Sequence, residues 1–69
     1  MYTFTSSAIE DIDDVDYGTI SVVYNNGHRY YYQVMTPDFR QDLAVVCKYG
    51  SVGSFINESK EKGIIRPLK

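Results

Sequence analysis

The sequence has a single cysteine, Cys47, and a single histidine, His28, among its 69 residues. One cysteine excludes an internal disulfide and a thiolate zinc site. Without a second histidine a transition-metal centre has too few ligands, so no metal is expected. No apolar run approaches the ~18 residues of a transmembrane helix. The start, Met1-Tyr2-Thr3-Phe4-Thr5, lacks the basic residues and apolar core of a signal peptide. These absences point to the cytoplasm and away from a membrane. They also remove weight from the sequon Asn57-Glu58-Ser59, which matters only on a secretory route. Lys and Arg are missing from residues 1 to 28, which carry five acids. The remainder carries four acids and all seven bases, so the net charge of −2 splits into an acidic and a mildly basic end. The chain starts at Met1 with no visible tag and is expected to be a complete stand-alone protein.

What is present describes one small folded domain spanning residues 1 to 69. The hydrophobic content of 43% is too high for a disordered chain. A chain of this size buries only roughly 60% of the surface its unfolded form exposes. It has no volume to spare for a deep, dry catalytic cleft. Self-association would bury more surface, which makes a dimer a reasonable expectation.

Residues 19 to 24, Thr-Ile-Ser-Val-Val-Tyr, alternate with period two and are rich in β-branched side chains, so they predict a strand. Asn26-Gly27 follows, then a second run from His28 to Val34. An Asn-Gly pair between two such runs is a hairpin signal. A three-residue loop with Gly27 in the left-handed conformation pairs Tyr24 with His28. Ile20, Val22, Tyr24, Tyr30, Tyr32 and Val34 then share one face. That face is more apolar than any alternative, and register follows the buried face. Ser21, Val23, Arg29, Tyr31, Gln33 and Met35 fall on the opposite side.

Upstream, residues 8 to 12 predict a weaker strand and residues 13 to 18 a turn. Downstream, Thr36 is a suitable N-cap with Pro37 at the first helical position. Phe39, Leu43, Val46 and Cys47 recur at helical spacing. Gly50 can stop that helix. Ser51 can cap a second, shorter helix that buries Phe55 and Ile56 and ends at Gly63. Residues 65 to 69 are expected to be an extended tail. The expected fold is therefore α+β: a three-stranded antiparallel meander packed against one longer and one short C-terminal helix.

These signals, in order, resemble the KTSC domain, named for the C-terminal extension of some lysyl-tRNA synthetases. The matching residues are Ser7-x-Ile9, Ile20-x-Val22-x-Tyr24, Asn26-Gly27, Tyr30-x-Tyr32-x-Val34 and Gly50-Ser51-x-Gly53-x-Phe55-x-Asn57. They cover roughly residues 6 to 64, with the hallmark Tyr-x-Tyr at Tyr30 and Tyr32. The resemblance implies a domain that also occurs alone in bacterial and phage proteins, with RNA binding as its suggested role.

Candidate binding residues fall in four places. Tyr30 and Tyr32 can stack bases, although the register assigns both to the core. Tyr31, on the open face with Arg29 and Gln33, is the better stacking candidate. The Gly50-Ser51-Val52-Gly53-Ser54 stretch can offer backbone N–H groups to an anion, with Ser51, Gly53 and Ser54 as candidates, or simply stop one helix and cap the next. Lys60, Lys62, Arg66 and Lys69 make the C-terminal end basic, and Lys60 is the candidate phosphate contact there. The acids Glu10, Asp11, Asp13, Asp14 and Asp16 lack the spacing of a calcium loop. They read either as a surface for a basic partner or as charges that keep an edge strand from aggregating.

Ser, His and Asp occur at no spacing that suggests a triad. Cys47 lies on an apolar helix face and reads as an inert thiol. No enzyme, catalytic residue or cofactor is expected. The expected function is a small non-catalytic domain that binds RNA or a nucleotide-type ligand. The alternative is a stand-alone phage or bacterial protein-interaction module, of a counter-defence or host-takeover kind, that binds a host protein. The low isoelectric point of about 5.1 favours the alternative.

Overall fold

The computed structural model describes residues 2–68. Strands β1 (Ile9–Asp16), β2 (Thr19–Tyr24) and β3 (Arg29–Val34) form an antiparallel meander. Helices α1 (Phe39–Tyr49) and α2 (Val52–Glu61) follow, and a last strand, β4 (Ile65–Pro67), returns to the sheet beside β3. The strand order is β1-β2-β3-β4, and every pairing is antiparallel. The α+β expectation holds, but the sheet has four strands rather than three.

The β2–β3 hairpin has the expected register. Val22 faces Tyr30 and Ile20 faces Tyr32. The Tyr24 N–H donates to the His28 carbonyl at 2.9 Å, and Gly27 adopts φ 88°. The Asn26 side chain accepts from the His28 N–H and closes the turn. One alternating face therefore carries Ile20, Val22 and Tyr32, all buried, and packs under Phe39, Leu43, Val52 and Ile56 from the helices. Phe39 and Phe55 stack at 5.4 Å and join the two helices over the sheet.

Four expectations need correction. β1 runs to Asp16 instead of turning at Asp13, and the turn is confined to Tyr17-Gly18. Its acids look like turn residues, yet an edge strand tolerates charge on its solvated side, and Ile9 and Ile12 still fill the core. Helix α1 begins after Asp38, not at Thr36-Pro37, and Asp38 makes no side-chain cap. The helices are nearly equal, with 11 and 10 residues. Finally, residues 65 to 67 are a strand, not a tail. The Met35 and Leu68 N–H groups donate to the Ile64 and Tyr31 carbonyls at 2.8 Å, so β4 satisfies the outer side of β3. Alternation turns the missing N–H of Pro67 outward, where an edge strand loses nothing by it.

The Ser51 cap appears as expected: its hydroxyl accepts from the Ser54 N–H. Gly63 ends α2 at φ 75°, a conformation that favours glycine. Among the described residues no helix is long and apolar enough to cross a membrane.

Candidate functional site

The alternation of β3 divides Tyr30-Tyr31-Tyr32 between the two sides of the sheet. Tyr32 is in the core, only 3% exposed. Tyr30 shares its face but lies toward the hairpin end, beyond the cover of the helices, and is 46% exposed. The expectation that both belong to the core holds for Tyr32 and fails for Tyr30.

Around Tyr30 the structure assembles an aromatic cluster. The Tyr24 and Tyr30 rings meet edge to face at 5.5 Å. The Tyr24 and Tyr32 hydroxyls lie 3.1 Å apart and share a hydrogen bond. His28 lies nearly parallel to Tyr30 at 6.3 Å. Helix α2 supplies the cation. Lys60 follows the buried Ile56 by four positions, so it projects from the same helix face, just past the edge of the core. Its Nζ stands 5.7 Å from the Tyr32 ring centre and 6.0 Å from that of Tyr24. Tyr24, Asn26, Tyr30, Tyr32 and Lys60 together line a shallow depression of about 400 Å³.

The electrostatics of this depression are one-sided. The ion pairs among the described residues are Arg40–Asp14 and Lys62–Glu58, so no carboxylate neutralises Lys60 there. Burial, and then the hydrogen bond with Tyr24, push the Tyr32 hydroxyl well above its ordinary range. It stays protonated at neutral pH. The depression thus offers a half-open ring, two linked phenol groups and an ammonium: a place for a flat aromatic group with an anionic substituent.

The other expected binding residues lie elsewhere. Arg29, Tyr31 and Gln33 are on the open sheet face, as expected. The Arg29 guanidinium lies over β2 and donates to Ser21 Oγ at 3.1 Å. Ser51, Gly53 and Ser54 sit at the start of α2, in a depression shared with residues 5 to 8. There the Ser51 side chain occupies the Ser54 N–H, and the Ser51 carbonyl takes the Phe55 N–H. The cap thus takes one of the N–H groups that an anion would use. A Cβ on Gly53 would stand 3.6 Å from Ala8 and Ser6, an ordinary contact, so close packing does not demand glycine. Lys69 lies outside the described residues.

The acidic segment divides as well. Asp14 accepts from Arg40 Nε at 2.9 Å and from the Tyr2 hydroxyl at 3.1 Å. The Asp16 carboxylate accepts the Gly18 N–H at 3.0 Å. These two acids shape the turn, while Glu10, Asp11 and Asp13 remain unpaired among the described residues. No group of three or more His, Cys, Asp or Glu converges as a metal site among the described residues.

Sequence reasoning missed Tyr24 and Arg40. Tyr24 was legible, since alternation places it on the face of Tyr30 and Tyr32. Arg40 was not, because its partners are 21 to 26 positions away. No family model matches the chain, and comparisons with curated proteins and with solved structures yield no significant match.

Proposed function

We propose that this domain is a non-catalytic binding module for a nucleotide-type ligand, taken up free or as part of single-stranded RNA. The base stacks on Tyr30, and the phosphate meets Lys60. The observation that carries this is the unneutralised Lys60 ammonium beside Tyr24 and Tyr32, next to the half-exposed Tyr30 ring. The proposal takes up the resemblance to the KTSC domain, whose Tyr-x-Tyr pair corresponds to Tyr30 and Tyr32. It moves the binding surface from Tyr31 to the hallmark side of the sheet.

The chemistry sets the scale. Base–aromatic stacking contributes about 1–3 kcal/mol per base by alanine substitution. One phosphate contact on a single strand adds about −0.7 to the slope of log affinity against log salt. A site with one open ring and one cation is therefore weak and sequence-tolerant.

Fluorescence anisotropy with a labelled single-stranded RNA at low salt, competed by nucleoside monophosphates, tests this directly. Tyr30→Ala is expected to weaken binding about 5- to 160-fold, the equivalent of that stacking energy. Lys60→Gln should flatten the salt dependence, and Tyr31→Ala should leave affinity within about twofold. Loss of binding in Tyr31→Ala with Tyr30→Ala unaffected would sink the proposal.

A further inference from the structure

Both helices cover one side of the sheet and leave the other uncovered. The register arranges that open face in rows. Asp11, Val23 and Arg29 form one row, and Asp13, Ser21 and Tyr31 the next. Thr19, Gln33 and Arg66 form the third. Acids thus line the β1 side, and both arginines are rooted on the β3–β4 side, Arg29 reaching back over β2 to the buried Ser21. Apolar surface lies between them: Val23 is partly buried, while Tyr31 and its neighbour Leu68 are 45% and 46% exposed. Leu68 is tied to Tyr31 by its N–H.

The two charge stripes do not satisfy each other. Strands lie about 4.8 Å apart, so β1 and β3 are separated by about 10 Å. Neither Asp11 nor Asp13 makes an ion pair among the described residues. Arg29 bonds only to Ser21, and Arg66 has no side-chain partner among the described residues.

We propose that the open sheet face is a self-association surface, whose occupant is a second copy of the chain packed face to face about a two-fold axis parallel to the strands. Only that axis sets β1 of each copy over β3–β4 of the other, acids over arginines. An axis across the strands lays β1 on β1, acid against acid, which repels. Tyr31, Val23 and Leu68 then supply the apolar contact, and the Arg29 guanidinium, which lies over β2 against Ser21 in the single copy, swings out to meet the partner's acids at the rim. This goes beyond the nucleotide proposal and does not rest on it, since the tyrosine–Lys60 depression opens on the opposite side.

The size of the face sets the strength. The molecule measures 24 × 24 × 22 Å. A sheet face on it can bury only about 500 Å² per copy, at the low end for specific interfaces. The dimer is therefore a weak, reversible one.

Sedimentation equilibrium over a concentration series at low salt, with charge-reversed variants, decides the matter. Wild type should dimerise. Asp11→Lys/Asp13→Lys and Arg29→Glu/Arg66→Glu should each weaken self-association at least tenfold. Their equimolar mixture should recover heterodimer to within about threefold of wild type, and that recovery also shows that both variants fold. Concentration-dependent amide shifts should centre on Tyr31 and Leu68. A wild type monomeric to millimolar concentration overturns the proposal and leaves the face to a different partner. So does a dimer that survives both reversals, or one whose shifts map to the outer edge of β1.

Discussion

Replacing Arg40 by alanine removes a three-pronged clasp on the first turn of the sheet. Its Nε reaches Asp14 at 2.9 Å, Nη2 reaches the Asp16 carbonyl at 2.7 Å, and Nη1 donates to the Tyr17 carbonyl. The side chain is 28% exposed and that of Asp14 is 43% exposed. An ion pair this open contributes about 0.2–1 kcal/mol. Charge-assisted bonds to carbonyls contribute about 1.5–3 kcal/mol when well shielded, and less with this exposure. Together they give about 2 kcal/mol, a large share of the few kcal/mol that one small core supplies. The fork matters more than the charge. Arg40→Ala should thus cost about 2 kcal/mol and Arg40→Lys about 1 kcal/mol, because an ammonium cannot span both carbonyls. Asp14→Asn should cost about 0.5 kcal/mol. Urea unfolding followed by circular dichroism measures all three. The alanine variant should melt roughly 10 °C lower. An Arg40→Lys variant as stable as wild type, or an Asp14→Asn variant as costly as Arg40→Ala, would refute the assignment of stability to the carbonyl fork.

Two glycines should respond in opposite directions. Gly53→Ala lies inside α2 with room for a Cβ, so urea melts should show a gain of about 0.4–1 kcal/mol. Gly27→Ala forces an alanine to φ 88° in the hairpin and should lose about 1–2 kcal/mol in the same assay. Alkaline pH should destabilise the fold. Burial raises the Tyr32 hydroxyl and the Cys47 thiol above their ordinary values, and burial with the neighbouring Asp14 raises the Tyr2 hydroxyl. These groups hold their protons longer folded than unfolded, so their contribution is complete below about pH 8 for Cys47 and about pH 9 for the tyrosines, and is lost as pH rises beyond those values. The urea midpoint should be flat in these contributions at neutral pH and fall in that alkaline window, in step with tyrosinate absorbance. A midpoint that rises there would contradict the burial of Tyr32.

The parts of the fold legible in the sequence are those set by local chemistry. Asn26-Gly27 and the flanking alternation suffice for the hairpin register, and Ser51 suffices for the α2 cap. The misread parts depend on distant neighbours. Nothing local distinguishes Asp13, Asp14 and Asp16 in a strand from the same acids in a turn until Arg40 and Ile12 are placed around them. Ile65-Arg66-Pro67 is too short and too close to a proline to read as a strand, and forms one because β3 would otherwise present an open edge. Alternation puts Tyr30 and Tyr32 on one face, but it does not say how far the helices reach along that face. That reach decides that Tyr32 is core and Tyr30 is surface. It also brings Lys60, 28 positions beyond Tyr32 in the chain, to the same depression.

The most direct test of the tyrosine–Lys60 site is a chemical-shift titration of the labelled protein with short single-stranded RNA at low salt. Saturable shifts are expected at Tyr24, Asn26, Tyr30, Tyr32 and Lys60, moved to higher RNA concentration by Tyr30→Ala and reduced by Lys60→Gln. Shifts centred on Tyr31, Arg29 and Gln33, or on Ser51 and Ser54, or no shifts at all, would contradict that expectation.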